Sequence, residues 1–263
     1  MGTGVRWFNR SDPVPGRCNM TRAPNWTIRG LRKDESGLAM VELAVSLPFF
    51  LGMGIGGLEL AHYTSVIMQL NKVTIHTADN AARIGTSTPD GVRTISETQI
   101  NDVFAGAMRA GKSIGIDDQH SYVNPSTGNP TNRGNTRIIL SSVEQVNPSS
   151  SGTQQYRIRW QRCAGSADFY RSNYGTTTSP PNPGGIGPVG RQVVPPPGGA
   201  IMFVETQFYY RPMVVNGFSN LTDRTISQVA SMVVRETRDL VGPSGGEGIY
   251  NLEKVTPSIC AQS

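Results

Sequence analysis

Histidine is nearly absent: His62, His76 and His120 are the whole supply in 263 residues. None sits in an H-E-x-x-H run or in a His/Cys cluster with metal-ligand spacing. There is no G-x-S-x-G elbow, and no cysteine stands beside a plausible base. Ala110-Gly111-Lys112-Ser113 ends like a phosphate-binding loop, but an Ala-rich helical run precedes it and no strand delivers it, so it reads as a helix C-terminus. Asp117-Asp118 reads as a solvated turn. No cofactor, no metal centre and no catalytic set is expected, and the chain reads as a non-enzyme.

Charge is also scarce, at 16% of residues, and mean hydropathy is −0.29, so most of the chain is soluble in character. The net charge of +5 is unevenly placed. Residues 1–37 hold seven Arg/Lys against Asp12, Asp34 and Glu35, while the other 226 residues hold 17 basic and 16 acidic groups. The basic excess lies in an N-terminal segment without the folded face that nucleic acid requires, so no nucleic acid is expected as a partner. Gly (30) and Pro (18) together make 48 of 263 residues. That exceeds the usual combined share of roughly 12% and predicts long loops.

One long apolar run stands out, "LAMVELAVSLPFFLGMGIGGLELA", Leu38 to Ala61, with Glu42 and Glu59 as its only ionisable residues. A helix of this length spans roughly 36 Å, enough for a bilayer core. Arg29, Arg32 and Lys33 precede it, which places the N-terminus in the cytoplasm and the remainder across the membrane. The run is too long for a cleaved secretory signal, and no small-x-small site clearly ends it. Glu42 is costly within a membrane unless paired; the alternative is a position at the headgroup level. Glu59 reads as interfacial at the opposite edge. Pro48 is expected to kink the helix, and Gly52 with Gly56 makes a GxxxG step suited to helix–helix approach or simply tolerated against lipid.

The helical pattern continues past the apolar run. Tyr63, Ile67, Leu70 and Thr74 recur at three- and four-residue spacing, as do Val66, Val73, Ala78, Ala81 and Ala82. Gly85 is the expected cap, with Arg83 in the last turn. Residues 62–85 are thus an amphipathic extension. Three cysteines leave one unpaired. With Cys18 in the leader, an oxidising compartment would suit a Cys163–Cys260 disulfide; two free thiols are the alternative.

The order of basic flank, Gly37, Val41-Glu42-Leu43-Ala44, Leu47-Pro48 and Gly57-Leu58-Glu59-Leu60 resembles type IV prepilins. More narrowly, it is similar to the TadE-like minor pilins (pseudopilins) of the tight-adherence (Tad, or Flp) pilus system. The resemblance covers residues 30–85. It implies a basic cytoplasmic leader (1–37) removed by a prepilin peptidase between Gly37 and Leu38. Glu42 would then be the fifth residue, pairing with the new amine of a neighbouring subunit. Implied partners are other minor pilins, the major Flp pilin, the prepilin peptidase, the inner-membrane assembly platform and membrane lipid. The implied place is the bacterial inner membrane, single pass, with the C-terminal domain periplasmic and entry into an extracellular pilus possible. An uncleaved single-pass protein whose periplasmic domain binds assembly components is the alternative, and an anchored periplasmic enzyme the third reading.

Residues 86–263 read as a periplasmic α+β domain. Ser96 to Gly115 predicts a short helix with Ser96 and Gln99 as a capping box and Ile100, Val103, Phe104, Ala107 and Met108 as its apolar stripe. Strand-like runs cover 136–146, 155–163, 200–213 and 228–239. In the second, Tyr156, Ile158 and Trp160 alternate with Arg157, Arg159 and Gln161. This predicts an antiparallel sheet with one solvated face and one face covered by the amphipathic half of the long helix, a pilin-like architecture. The Pro/Gly-rich stretch 172–200 is expected to be a long mobile connection.

Overall fold

The structure, a computed structural model, describes residues 36–146, 154–213, 223–243 and 247–260. The leader before Ser36, with Cys18, lies outside the described residues. The chain divides into two units, Met1–Leu51 and Gly52–Ser263.

Helix α1, Ser36–Arg83, begins in the first unit and is the one described helix long and apolar enough to span a membrane. In the first unit its apolar side chains are exposed, Leu38, Met40, Val41, Leu43 and Phe49 among them. Pro48 lies inside the helix and removes the amide that would bond the Ala44 carbonyl.

In the second unit the same helix changes character. Val66, Leu70, Val73, Thr74, Thr77, Ala78 and Ala81 are buried, a single stripe at helical spacing. Arg83 pairs with Asp79 one turn back at 3.0 Å. Beyond it, Gly85 turns the chain with φ +138°. The exposed C-terminal carbonyls carry partial negative charge. Arg238 caps them, its Nη2 donating to the carbonyls of Ile84 (2.6 Å) and Ala82 (3.3 Å), while Arg93 Nη1 donates to that of Arg83 at 3.1 Å. Burial, and after it the neighbouring Arg93, lowers the Arg238 pKa to about 10, so it stays a cation at neutral pH.

The stripe rests on a four-stranded antiparallel sheet of order β6-β5-β7-β8, with β5 Thr136–Val146, β6 Gln155–Ala164, β7 Ala200–Tyr210 and β8 Arg224–Val233. Its helix-side face presents Ile138, Leu140, Trp160, Met202 and Val204. A second helix, α2 Glu97–Ala110, joins this core through Ile100, Val103, Phe104 and Ala107. Its capping box is present: Ser96 Oγ accepts from Gln99 N–H, and Gln99 Oε1 accepts from Ser96 N–H. The helix ends at Ala110, before a short 3₁₀ turn Lys112–Ile114, rather than running to Gly115. Smaller pairings complete the unit. They are the hairpin β3 Gln119–Val123 with β4 Pro130–Gly134, and β1 Thr86–Ser87 beside β2 Arg93–Ser96, whose other neighbour is β9 Ile249–Tyr250.

Three expectations about the sheet are corrected. First, Tyr156, Ile158 and Trp160 do not share a face. Ser142 opposes Trp160 and Val143 opposes Ile158, so Arg159 is an extra residue in β6. A bulge of this kind shifts the alternation by one. Trp160 therefore enters the helix-side core, and Ile158 joins Val143, Ile201 and Phe203 on the other face. The same crowding lets both Arg157 Nε (2.7 Å) and Arg159 Nη1 (3.0 Å) donate to Glu144 Oε1.

Second, neither face of the central strands is solvated: all of β7 except Tyr209 is buried. The Pro/Gly-rich stretch 172–200 covers the second face. Ile186 packs into the Val143/Ile158/Phe203 cluster, Tyr174 sets its ring edge-on to Phe203 at 5.5 Å, and Ile186 pairs with Val193. Glu205, central in β7, fastens this cover. Its carboxylate accepts from Ser172 Oγ and from Asn173 N–H at 2.9 Å. Third, the last strand is 224–233, not 228–239, because the chain leaves the sheet after Val233 to place Arg238 beneath α1.

The outer edge of β6 is closed by the C-terminal segment. Cys163 N–H donates to Ser258 O at 2.7 Å, Arg162 pairs with Ile259, and a disulfide joins Cys163 to Cys260. Arg162 is buried against Glu97 of α2 and reaches Glu247 at 3.0 Å. Burial, the largest single cause, would lower its pKa, but the Glu97 and Glu247 carboxylates together outweigh it and the net shift is upward.

Burial pushes the Glu205 carboxyl above its ordinary value, against smaller opposing contributions from Ser172 and Asn173. An acid whose pKa rises on folding favours the fold most below its unfolded value, and that contribution is lost as pH rises through the folded value. Glu205→Gln keeps the acceptor without the charge. It is expected to flatten the pH dependence between acid and neutral and to raise the melting temperature at neutral pH by roughly 2–4 °C, read by thermal unfolding across pH. Replacing Cys163 and Cys260 by serine is expected to lower stability by roughly 2–4 kcal/mol. It should also speed amide exchange along β6, both measured with and without reductant.

Candidate functional site

Two carboxylates lie in the apolar part of α1, and the structure treats them differently. Gly37 and Leu38 are in the helix's first turn, both exposed. A side chain at Gly37 would meet nothing within 4 Å among the described residues, so packing against them does not require glycine there. Glu42 is exposed, with no hydrogen-bond or ion-pair partner among the described residues. Ser46, one turn on, turns its hydroxyl inward to the Leu43 carbonyl at 3.3 Å.

Glu59, read from sequence as interfacial, is 1% exposed and packs against the chain's own sheet. Tyr210, the last residue of β7, donates its O–H to Glu59 Oε1 at 2.5 Å, and the Met213 N–H donates to Oε2 at 3.0 Å. Burial first, and the Glu59 carboxylate second, hold the Tyr210 phenol well above its ordinary pKa, so its proton stays in place. That proton is committed to Glu59, so the phenol oxygen is left to accept from His62 Nδ1 at 3.1 Å. Tyr63 packs its ring edge-on to Tyr210 at 5.0 Å, and the Arg224 guanidinium lies 5.3 Å from the Tyr63 ring centroid.

Glu59 therefore begins the docked half of the helix. From Leu38 to Leu58 no residue is buried, and the buried stripe starts at Glu59 and continues through Val66, Leu70 and Val73. Those 21 residues span roughly 31 Å, close to the thickness of a bilayer hydrocarbon core. A hydrogen bond between the Thr74 and Thr206 hydroxyls at 2.9 Å reinforces the docking.

The remaining motifs do not assemble chemistry. The full spacing Gly106 to Ser113 satisfies the letters of a phosphate-binding loop, but residues 106–110 are helical and Gly111 N–H is spent on the Ala107 carbonyl. The amides therefore run along the helix instead of converging on an anion. His120 stacks on Tyr209 at 3.7 Å between ring centroids, and His76 is exposed. No three His, Cys, Asp or Glu side chains converge among the described residues. Sequence reasoning missed the Glu59–Tyr210 pair and the Arg238 cap. Glu59 was detectable, because it lies in phase with Val66 and Leu70 on the buried stripe; Arg238 carries no periodic signal.

No family model, curated protein or solved structure matches the chain.

Tyr210→Phe removes one hydrogen-bond donor from the buried Glu59 carboxylate. It is expected to destabilise the full chain in detergent by roughly 1.5–3 kcal/mol, as for a lost hydrogen bond to a charged group. Denaturant unfolding measures this, and Tyr63→Phe should change stability far less.

Proposed function

We propose that this chain is a structural subunit of a pilus-type assembly, a TadE-like minor pilin. It is made in the inner membrane with its C-terminal domain periplasmic and is trimmed between Gly37 and Leu38 by a prepilin peptidase. Hydrolysis of that bond leaves a carboxylate on Gly37 and an amine on Leu38. Other minor pilins, the major pilin and the assembly platform are its partners.

The contrast between the two glutamates is the observation that carries this reading. A charge in an apolar layer is stabilised only by a partner. The chain supplies donors to Glu59 from the end of β7 and just beyond it, whereas Glu42 stands on an exposed apolar helix face. A positively charged terminus on a neighbouring subunit fits Glu42, and trimming creates such a terminus four residues before it. The glycine at position 37 has no packing role, which suits recognition by a peptidase that needs an open backbone.

One observation favours an uncleaved single-pass protein instead: the Gly37–Leu38 bond lies in a helical turn, not in an extended segment. Both readings meet the same measurement. Mass spectrometry of the protein recovered from cells is expected to show an N-terminus at Leu38, and an intact leader would overturn the pilin reading. Glu42→Ala should leave trimming intact and abolish incorporation into the assembled structure.

A further inference from the structure

The two edges of the main sheet are treated unequally. The β6 edge is closed by the Ser258–Cys260 segment, the disulfide and a bridge from Tyr156 to Asn182. The β8 edge has no strand beside it, and no backbone group of 224–233 bonds outward among the described residues. Edge strands are ordinarily protected by shortness, bulges, proline or charge. β8 has little of this: it is ten residues long, contains no proline, pairs with β7 in unbroken register, and holds a single charge, Arg224, at its start.

Grooves flank this edge on both faces. On the helix side, a groove of about 620 Å³ runs along Met232 and Val233 and is bordered by Asp79, Arg83, Arg93, Arg235 and Glu236. Asp79 is engaged by Arg83 and Glu236 by Arg93, and the exposed Arg235 has no side-chain partner among the described residues. On the opposite face, a groove of about 160 Å³ is lined by Pro188, Arg191, Val193, Phe203 and Val229. Arg191 there is likewise exposed and without a side-chain partner among the described residues.

We propose that β8 is a strand-addition site for an extended acidic segment of another protein chain. A strand laid beside β8 sends successive side chains to opposite faces. Apolar residues enter the two grooves, and neighbouring acidic residues reach Arg235 on one face and Arg191 on the other. This site is independent of the pilus reading, since it uses neither Gly37 nor Glu42.

The test uses the full chain in detergent micelles and two blocked peptides, Thr-Val-Glu-Glu-Val-Thr-Val and its counterpart with both glutamates replaced by lysine. Hydrogen–deuterium exchange is followed across 224–233, and affinity by fluorescence anisotropy. The acidic peptide is expected to slow exchange in that strand and the lysine peptide to leave it unchanged. Arg191→Glu and Arg235→Glu, both at exposed positions, should each weaken the acidic peptide by roughly two- to fivefold or more and strengthen the lysine one. The proposal is overturned by equal protection from both peptides, by none from either, or by wild-type affinity in both variants. Protection that grows with protein concentration alone would overturn it too, by assigning the edge to a second copy.

Discussion

A buried carboxylate in an apolar helix fixes where everything else can sit. Glu59 cannot remain among hydrocarbon without partners, and its donors, Tyr210 O–H and Met213 N–H, lie at and just beyond the end of the central strand β7. That bond sets the level at which α1 stops presenting apolar side chains outward and begins to pack on the sheet. Given that level, helical periodicity brings Val66 and Leu70 against Phe208 and Ile226, and brings Thr74 within hydrogen-bond distance of Thr206. The other end of the helix is held as firmly, by Arg238 and Arg93 on its last carbonyls. A rod anchored at both ends cannot slide along the sheet, and the small residues Ala78 and Ala81 between the anchors let it approach closely.

How far the sequence discloses this arrangement depends on how local each signal is. The long helix is legible because its period persists for many turns, and α2 because its capping box is a four-residue pattern. Strands β5 and β7 are legible because each is rich in β-branched or aromatic residues and free of Gly and Pro. The bulge at Arg159 is not legible: the sequence alternates cleanly, and only the count of residues opposing it in β5 reveals the extra one. The covering role of 172–200 is hidden for a different reason. The residues it packs on the sheet, the buried Ile186 and the half-buried Tyr174 and Val193, are isolated among glycines and prolines and share no period. Their burial follows from the sheet needing a cover on its second face, a tertiary demand that no window of sequence contains.

The candidate site shows the same division. Glu42 and Gly37 were visible from spacing alone, since both belong to a linear pattern. Glu59 was visible as a residue but not its protein partners, because a window centred on hydropathy assigns it to the apolar run. Its phase, seven residues before Val66 and eleven before Leu70, places it on the buried stripe instead. Phase is the more informative signal for a polar residue near the end of an apolar segment: it tells whether the residue faces lipid or protein.

The two glutamates also constrain each other. If Glu59 were unsatisfied, the helix would present two costly charges, and no single partner terminus could offset both. With Glu59 satisfied within the chain, only Glu42 needs something from outside. In the proposed assembly, one intermolecular charge pair per helix would then be specific, because a neighbour would have to bring its cation to Glu42. The intramolecular bond of Glu59 would leave Glu42 as the carboxylate open to that neighbour.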